Sequence, residues 1–110
     1  MQKILKNPSG KKTIHLKDRK KMEIFLEDFS DTPADFQLEI KLEGLGAECA
    51  VIGRMQSFGT HKKNWKVTQK FLGKNQKGSI RLHGVAEDES LLEFDGAGVL
   101  EKNSQNAEIN

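Results

Sequence analysis

The sequence predicts an all-β fold wound as a short solenoid, and three observations point to it. The first is strict alternation. In Phe36–Leu42, Phe36, Leu38, Ile40 and Leu42 face one way while Gln37, Glu39 and Lys41 face the other, the period of two that sends successive strand side chains to opposite faces. The second is punctuation by corners such as Gly44-Leu45-Gly46 and Gly73-Lys74-Asn75, because glycine permits the positive φ of a sharp bend. The third is the scarcity of hairpin chemistry. Asn-Gly and Asp-Gly are the strongest hairpin signals, and the one Asp-Gly pair, Asp95-Gly96, lies inside a strand-like run. An antiparallel sandwich or barrel would be expected to carry more of them, so the balance tilts to a solenoid.

Taken in order, Asn7-Pro8-Ser9-Gly10 is turn chemistry. Thr13–Leu16 is a weak strand. Met22–Glu27 is a strand with Met22, Ile24 and Leu26 on one side; Phe25 breaks its alternation, which calls for cover by a partner or by the N-terminal arm. Asp28–Asp35, with Ser30, Asp31, Thr32 and Pro33, reads as a turn. After Phe36–Leu42 and its glycine corner comes Ala47–Ile52, ended by Gly53, and then a loop at Ser57–His61. Trp65–Leu72 alternates Trp65, Val67 and Phe71 against Lys66, Thr68 and Lys70. Ile80–Val85, the acidic turn Glu87-Asp88-Glu89, the run Leu91–Leu100, a turn at Asn103–Asn106 and a last strand at Ala107–Ile109 complete the chain. No long run has helical spacing, and strand centres recur 12 residues apart, as from Ile40 to Ile52 and from Ile80 to Leu92.

The 110 residues fit one domain, and hydrophobic residues make up 35% of them. That is below the roughly 45–50% of a soluble domain on a count that includes glycine, so the core is thin or shared, as in the narrow channel of a solenoid. No stretch approaches the roughly 18 apolar residues of a membrane span, and Met1–Gly10 has no apolar secretory segment. One cysteine, Cys49, forms no internal disulfide, which points to a reducing cytoplasm. Residues 1–21 carry a net +7 and the remainder −5. We read 1–21 as a basic, solvated and partly disordered head and 22–110 as the β-helix domain. The lysines of the head are not interleaved with aromatics, so nucleic acid has no stacking platform there.

Catalytic chemistry is sparse. An iron–sulfur or zinc site normally takes about four Cys or His ligands. Cys49 is a small core residue on its strand, or half of a site shared across a dimer. His61 and His83 are weak metal candidates that stacking of coils would bring together, and His15 is isolated. No nucleophile elbow is present, and Gly44-Leu45-Gly46 precedes a strand rather than the helix of a phosphate site. Trp65 is a core plug or an interface residue. An enzyme is not expected, and no intrinsic cofactor.

The stretch Gly73–Asn110 resembles the SufB/SufD family of iron–sulfur assembly proteins. The matched positions are Gly73, Asn75, Gly84, Val85, Ser90, Phe94 and Gly96, and upstream Leu42–Glu48 with Val51-Ile52-Gly53 resembles the family's glycine corner and following strand. Gln76, Gly78, His83, Asp95 and Phe71 depart from the family pattern. The resemblance implies a right-handed parallel β-helix. It carries over neither the cluster-associated Cys or His residues nor the helical segment that docks the SufC ATPase, since both follow Ala107 in the family.

Two functions follow as expectations. One is a SufB/SufD-like scaffold or accessory subunit of the SUF system that continues its sheets into a partner, with any iron–sulfur cluster held jointly with that partner. Its contact residues would be Phe36, Leu38, Ile40 and Leu42 or Leu91, Leu92, Phe94 and Leu100, in the terminal coils. The alternative is a self-associating, bactofilin-like structural β-helix that forms homo-oligomers by head-to-tail end contacts.

Overall fold

In the computed structural model, which describes residues 1–101 and 108–109, every regular element is a strand: β1 (Gln2–Lys6), β2 (Gly10–Leu16), β3 (Lys21–Asp28), β4 (Ala34–Leu42), β5 (Glu48–Ser57), β6 (Lys62–Phe71), β7 (Lys77–Ala86), β8 (Leu91–Leu100) and β9 (Glu108–Ile109). Odd-numbered strands form one sheet in the order β1-β3-β5-β7-β9, and even-numbered strands form the other in the order β2-β4-β6-β8. All pairings are parallel. The chain therefore alternates between two facing sheets, one strand to each, and is a parallel β-solenoid. No helix long and apolar enough to cross a membrane is present among the described residues.

The repeat that matters is longer than the 12-residue spacing of the sequence. Consecutive strands lie in opposite sheets, so hydrogen-bonded partners are a whole coil apart. Gln2 pairs with Glu23, Lys21 with Glu48, and Glu48 with Lys77, so the coil lengthens from 21 to 27 and then 29 residues. The corners after β2, β4 and β6 are built alike. Arg19, Gly46 and Asn75 occupy equivalent places with φ of 57°, 67° and 57°, and Arg19 N–H donates to Leu45 O while Gly46 N–H donates to Lys74 O. Left-handed backbone at one place in successive turns makes the corners stack.

Alternation then puts one face of each sheet into a shared interior. Ile24, Leu26, Cys49, Val51 and Met55 of the odd sheet meet Leu38, Ile40, Leu42, Trp65, Val67 and Phe71 of the even sheet, all at most 3% exposed. Phe36, Trp65 and Phe94 lie in register on β4, β6 and β8; the Trp65 and Phe94 rings sit 5.9 Å apart with their planes tilted by 46°. Trp65 is thus a core plug. The partner on the opposite sheet is Gly53, where an added Cβ would stand 2.8 Å from Trp65 Cζ3 and 2.6 Å from Leu82 Cδ2.

Several expectations are corrected. Gly53 does not end its strand; β5 runs on to Ser57, and the glycine makes room for an indole. The basic head is not set apart from the β-helix. Its β1 and β2 pair with β3 and β4, and Leu5, Ile14 and Leu16 join the core because they share its parity. Phe25 is in register with Ile4 and Ile52 on the outer face of the odd sheet, next to the N-terminal strand. The turn expected at Asn103–Asn106 lies outside the described residues, and Glu108–Ile109 is a strand.

Candidate functional site

The two ends of the solenoid differ chemically. At the β1–β2 end, Lys3 and Lys12 take inward positions, in register with Ile24 and Leu38. They stand side by side, and Lys12 holds Lys3 below the ordinary lysine range. Two ammonium groups over an apolar interior form a polar cap of the kind terminal coils use to stay soluble.

The β7–β8 end has no such cap among the described residues. Its inward side chains are Ile80, Leu82, Leu92, Phe94 and Leu100; the first four are only half-buried and Leu100 is 59% exposed. Leu91, Val85 and Val99 add apolar surface on the flanks, at 49%, 57% and 37% exposure. Glycines shape this coil. A Cβ at Gly84 would lie 2.6 Å from Leu92 Cδ1, and one at Gly96 would lie 3.3 Å from Ile80 Cγ2. The absent side chains let β7 and β8 approach one another across the interior. Among the described residues β9 pairs with Lys77 and Gly78 of β7 alone. Beyond β6, β8 has no further strand among the described residues, so its outward N–H and C=O groups form an open edge.

Half of the expected contact set falls on this end. Leu91, Leu92, Phe94 and Leu100 belong to it, whereas Phe36, Leu38, Ile40 and Leu42 are at most 2% exposed. The expectation for those four is overturned because β2 covers β4, so β4 is an interior strand and not a terminal one.

The weak metal candidates do not converge. Cys49 is buried, and burial pushes its thiol up to about 12, far from the thiolate that binds metal. It therefore cannot supply half a site to a second copy without opening the core. His61 sits in the corner between β5 and β6 with Nε2 3.2 Å from Asp31 Oδ1. His83 faces outward from β7 in register with Arg54. No group of three or more His, Cys, Asp or Glu side chains is placed to hold a metal among the described residues. The donors present do not fit an iron–sulfur cluster.

One buried polar cluster escaped the sequence reading. Lys63 is fully buried, and its Nζ donates to Asp28 Oδ1 at 2.9 Å, to Gln56 O at 2.7 Å and to Ser30 O. All three ammonium protons are used, so the group is a fastener between coils with no proton left for chemistry. Its signal was parity: Lys63 stands two residues before Trp65, on the same face of the strand. Gln76 fastens the next corner, its Nε2 donating to Leu42 O at 2.6 Å and Gly44 O at 2.7 Å while Gly73 N–H donates to its Oε1 at 3.1 Å.

No family model, curated protein or solved structure matches this chain.

Proposed function

We propose that this protein is a non-enzymatic scaffold subunit that associates end-on through its β7–β8 coil, in the manner of a SufB/SufD-like accessory component of iron–sulfur assembly. The observation that carries the reading is the contrast between ends among the described residues: lysines close one, while at the other Leu82, Leu92 and Phe94 are only half-buried and Leu100 is exposed. Burying these side chains and completing the β8 ladder act together, since a docked strand supplies backbone partners while its side chains cover the apolar ones. The resemblance at Gly73, Asn75, Gly84, Val85, Ser90, Phe94 and Gly96 lies in this same coil and supplies the assembly context. Any cluster would depend on ligands from the partner.

The lysine cap weighs against the polymer alternative. In-register head-to-tail stacking would press Lys3 onto Ile80 and Lys12 onto Gly96, and an ammonium taken into an apolar contact without a counter-charge is costly. Association through two like ends, or with a different β-solenoid, avoids that cost.

Anaerobic co-purification from cells, followed by mass measurement in solution and iron and sulfide analysis, tests the reading. The expected product is a discrete complex with a second β-solenoid protein, weakened roughly 30-fold by Leu100→Asp, as for an interface residue worth about 2 kcal/mol. Concentration-dependent filaments would favour the polymer. A monomer at every concentration, indifferent to Leu100→Asp, would overturn end-on association.

A further inference from the structure

The outer faces of the two sheets are built differently. Both carry charge pairs across strands: on the even sheet Lys70 Nζ lies 2.7 Å from Glu39 Oε1 and Lys62 Nζ 3.4 Å from Glu93 Oε1, and on the odd sheet Lys21 Nζ lies 3.1 Å from Glu48 Oε2. On the odd sheet an apolar column crosses the coils, with Ile4 of β1, Phe25 of β3 and Ile52 of β5 in register and Arg81 of β7 continuing the line. Ile4 is 60% exposed, and Phe25 and Ile52 are half-exposed although they point away from the core. The neighbouring column reads Lys6, Glu27, Arg54 and His83. Lys6, Arg54 and Arg81 make no ion pair among the described residues. Between the columns lies a hollow of about 300 Å³ lined by Phe25, Leu26, Glu27, Ile52 and Arg54.

We propose that this face is the seat of an acidic amphipathic α-helix from a partner protein, lying along the solenoid axis with its apolar stripe on Ile4, Phe25 and Ile52. The spacing favours a helix. Adjacent strands are about 4.8 Å apart, and a helix presents side chains to one side every 5.4 Å or so, so about two and a half turns follow the column from Ile4 to Arg81. A strand has no use for this surface, because its backbone needs a sheet edge and not a face. The charge of the occupant follows from the unpaired cations: carboxylates flanking its stripe meet Lys6, Arg54 and Arg81 and gain charge-assisted hydrogen bonds to guanidinium. A lipid surface fits less well, since the stripe is one residue wide and is bordered by Glu23 and Glu27.

The test uses the intact chain and a fluorescein-labelled synthetic helix of about 18 residues, with Leu at the a and d heptad positions and Glu at the flanking ones, beside a counterpart with Lys replacing Glu. The Leu/Glu peptide is expected to bind by fluorescence anisotropy and to shift the amide resonances of Ile4, Phe25, Ile52, Arg54 and Arg81. The Lys counterpart should bind about tenfold more weakly or worse, and the double change Arg54→Glu with Arg81→Glu, on exposed positions that spare the core, should reverse the preference. Phe25→Ser should abolish both interactions. Leu100→Asp should leave peptide binding unchanged, which separates this face from the end contact. Equal binding of the two peptides, binding by neither, or capture of phosphatidylglycerol vesicles in place of the Leu/Glu peptide would overturn the proposal.

Discussion

Gly53 and Lys63 show how single residues fix this interior. Gly53 faces Trp65 across the core, and its missing side chain is what admits the indole. Gly53→Ala should cost about 1–3 kcal/mol, the range for overpacking a close-packed core, read as a lower urea midpoint without a change in slope. Gly59, whose Cβ would meet nothing within 4 Å, serves as the contrast through Gly59→Asn, because asparagine tolerates its φ of 60°. Lys63→Met would strand the buried Asp28 carboxylate and the carbonyls of Ser30 and Gln56. A loss of about 3–5 kcal/mol is expected. Pairing it with Asp28→Leu should recover part of that loss, since both charges then leave together. Neither role is evident from residue type alone: a glycine in a run reads as a stop and a lysine reads as solvent-facing. Register across a whole coil decides both, and register is a long-range property.

At the scale of the strand, alternation was the dependable signal. Leu91–Leu100 was legible to the residue as a run, and Phe36–Leu42 to within two residues of β4, the latter because it buries one face and hydrates the other. β1 went unread. Its apolar residues Ile4 and Leu5 are adjacent rather than alternate, and the lysines around them look like a soluble tail. The strand forms because β3 offers it a ladder. Matched columns of charge also act at this scale. Lys70 holds the Glu39 carboxyl below the usual glutamate range, and His15 with Lys17 does the same for Glu43. A carboxylate depressed in the folded state adds stability above its unfolded pKa and loses it as pH falls through the folded value. Stability should therefore decline as pH drops below the ordinary glutamate value of 4.5. Glu39→Gln together with Glu43→Gln should flatten that decline in acid denaturation followed by circular dichroism. The change should be small, because both carboxylates are solvated and screened.

For the molecule as a whole, proportions matter more than composition. It measures 45 × 24 × 20 Å. Strands of 10 residues are about 33 Å long, so the long dimension runs along the strands and not along the axis of the coil. A squat solenoid has broad ends relative to its height, and what covers the ends weighs heavily in its stability. The all-β class, the corners and the parallel stacking of coils were legible because short runs, glycine bends and scarce hairpin signals agree. The chemistry of the ends was not, because whether a coil is terminal depends on where the ladders begin and stop. That is why Phe36–Leu42 looked like a contact surface and proved to be interior, and why Lys3 and Lys12 went unnoticed as a cap. Amide hydrogen exchange of the isolated protein, resolved by residue, tests the arrangement most directly. β4, β5 and β6, each paired on both sides, should be protected throughout, while in β8 protected amides should alternate with fast-exchanging ones along the open edge. Uniform protection of β8 from Leu91 to Leu100 in the monomer would contradict the open apolar end on which the proposed association depends.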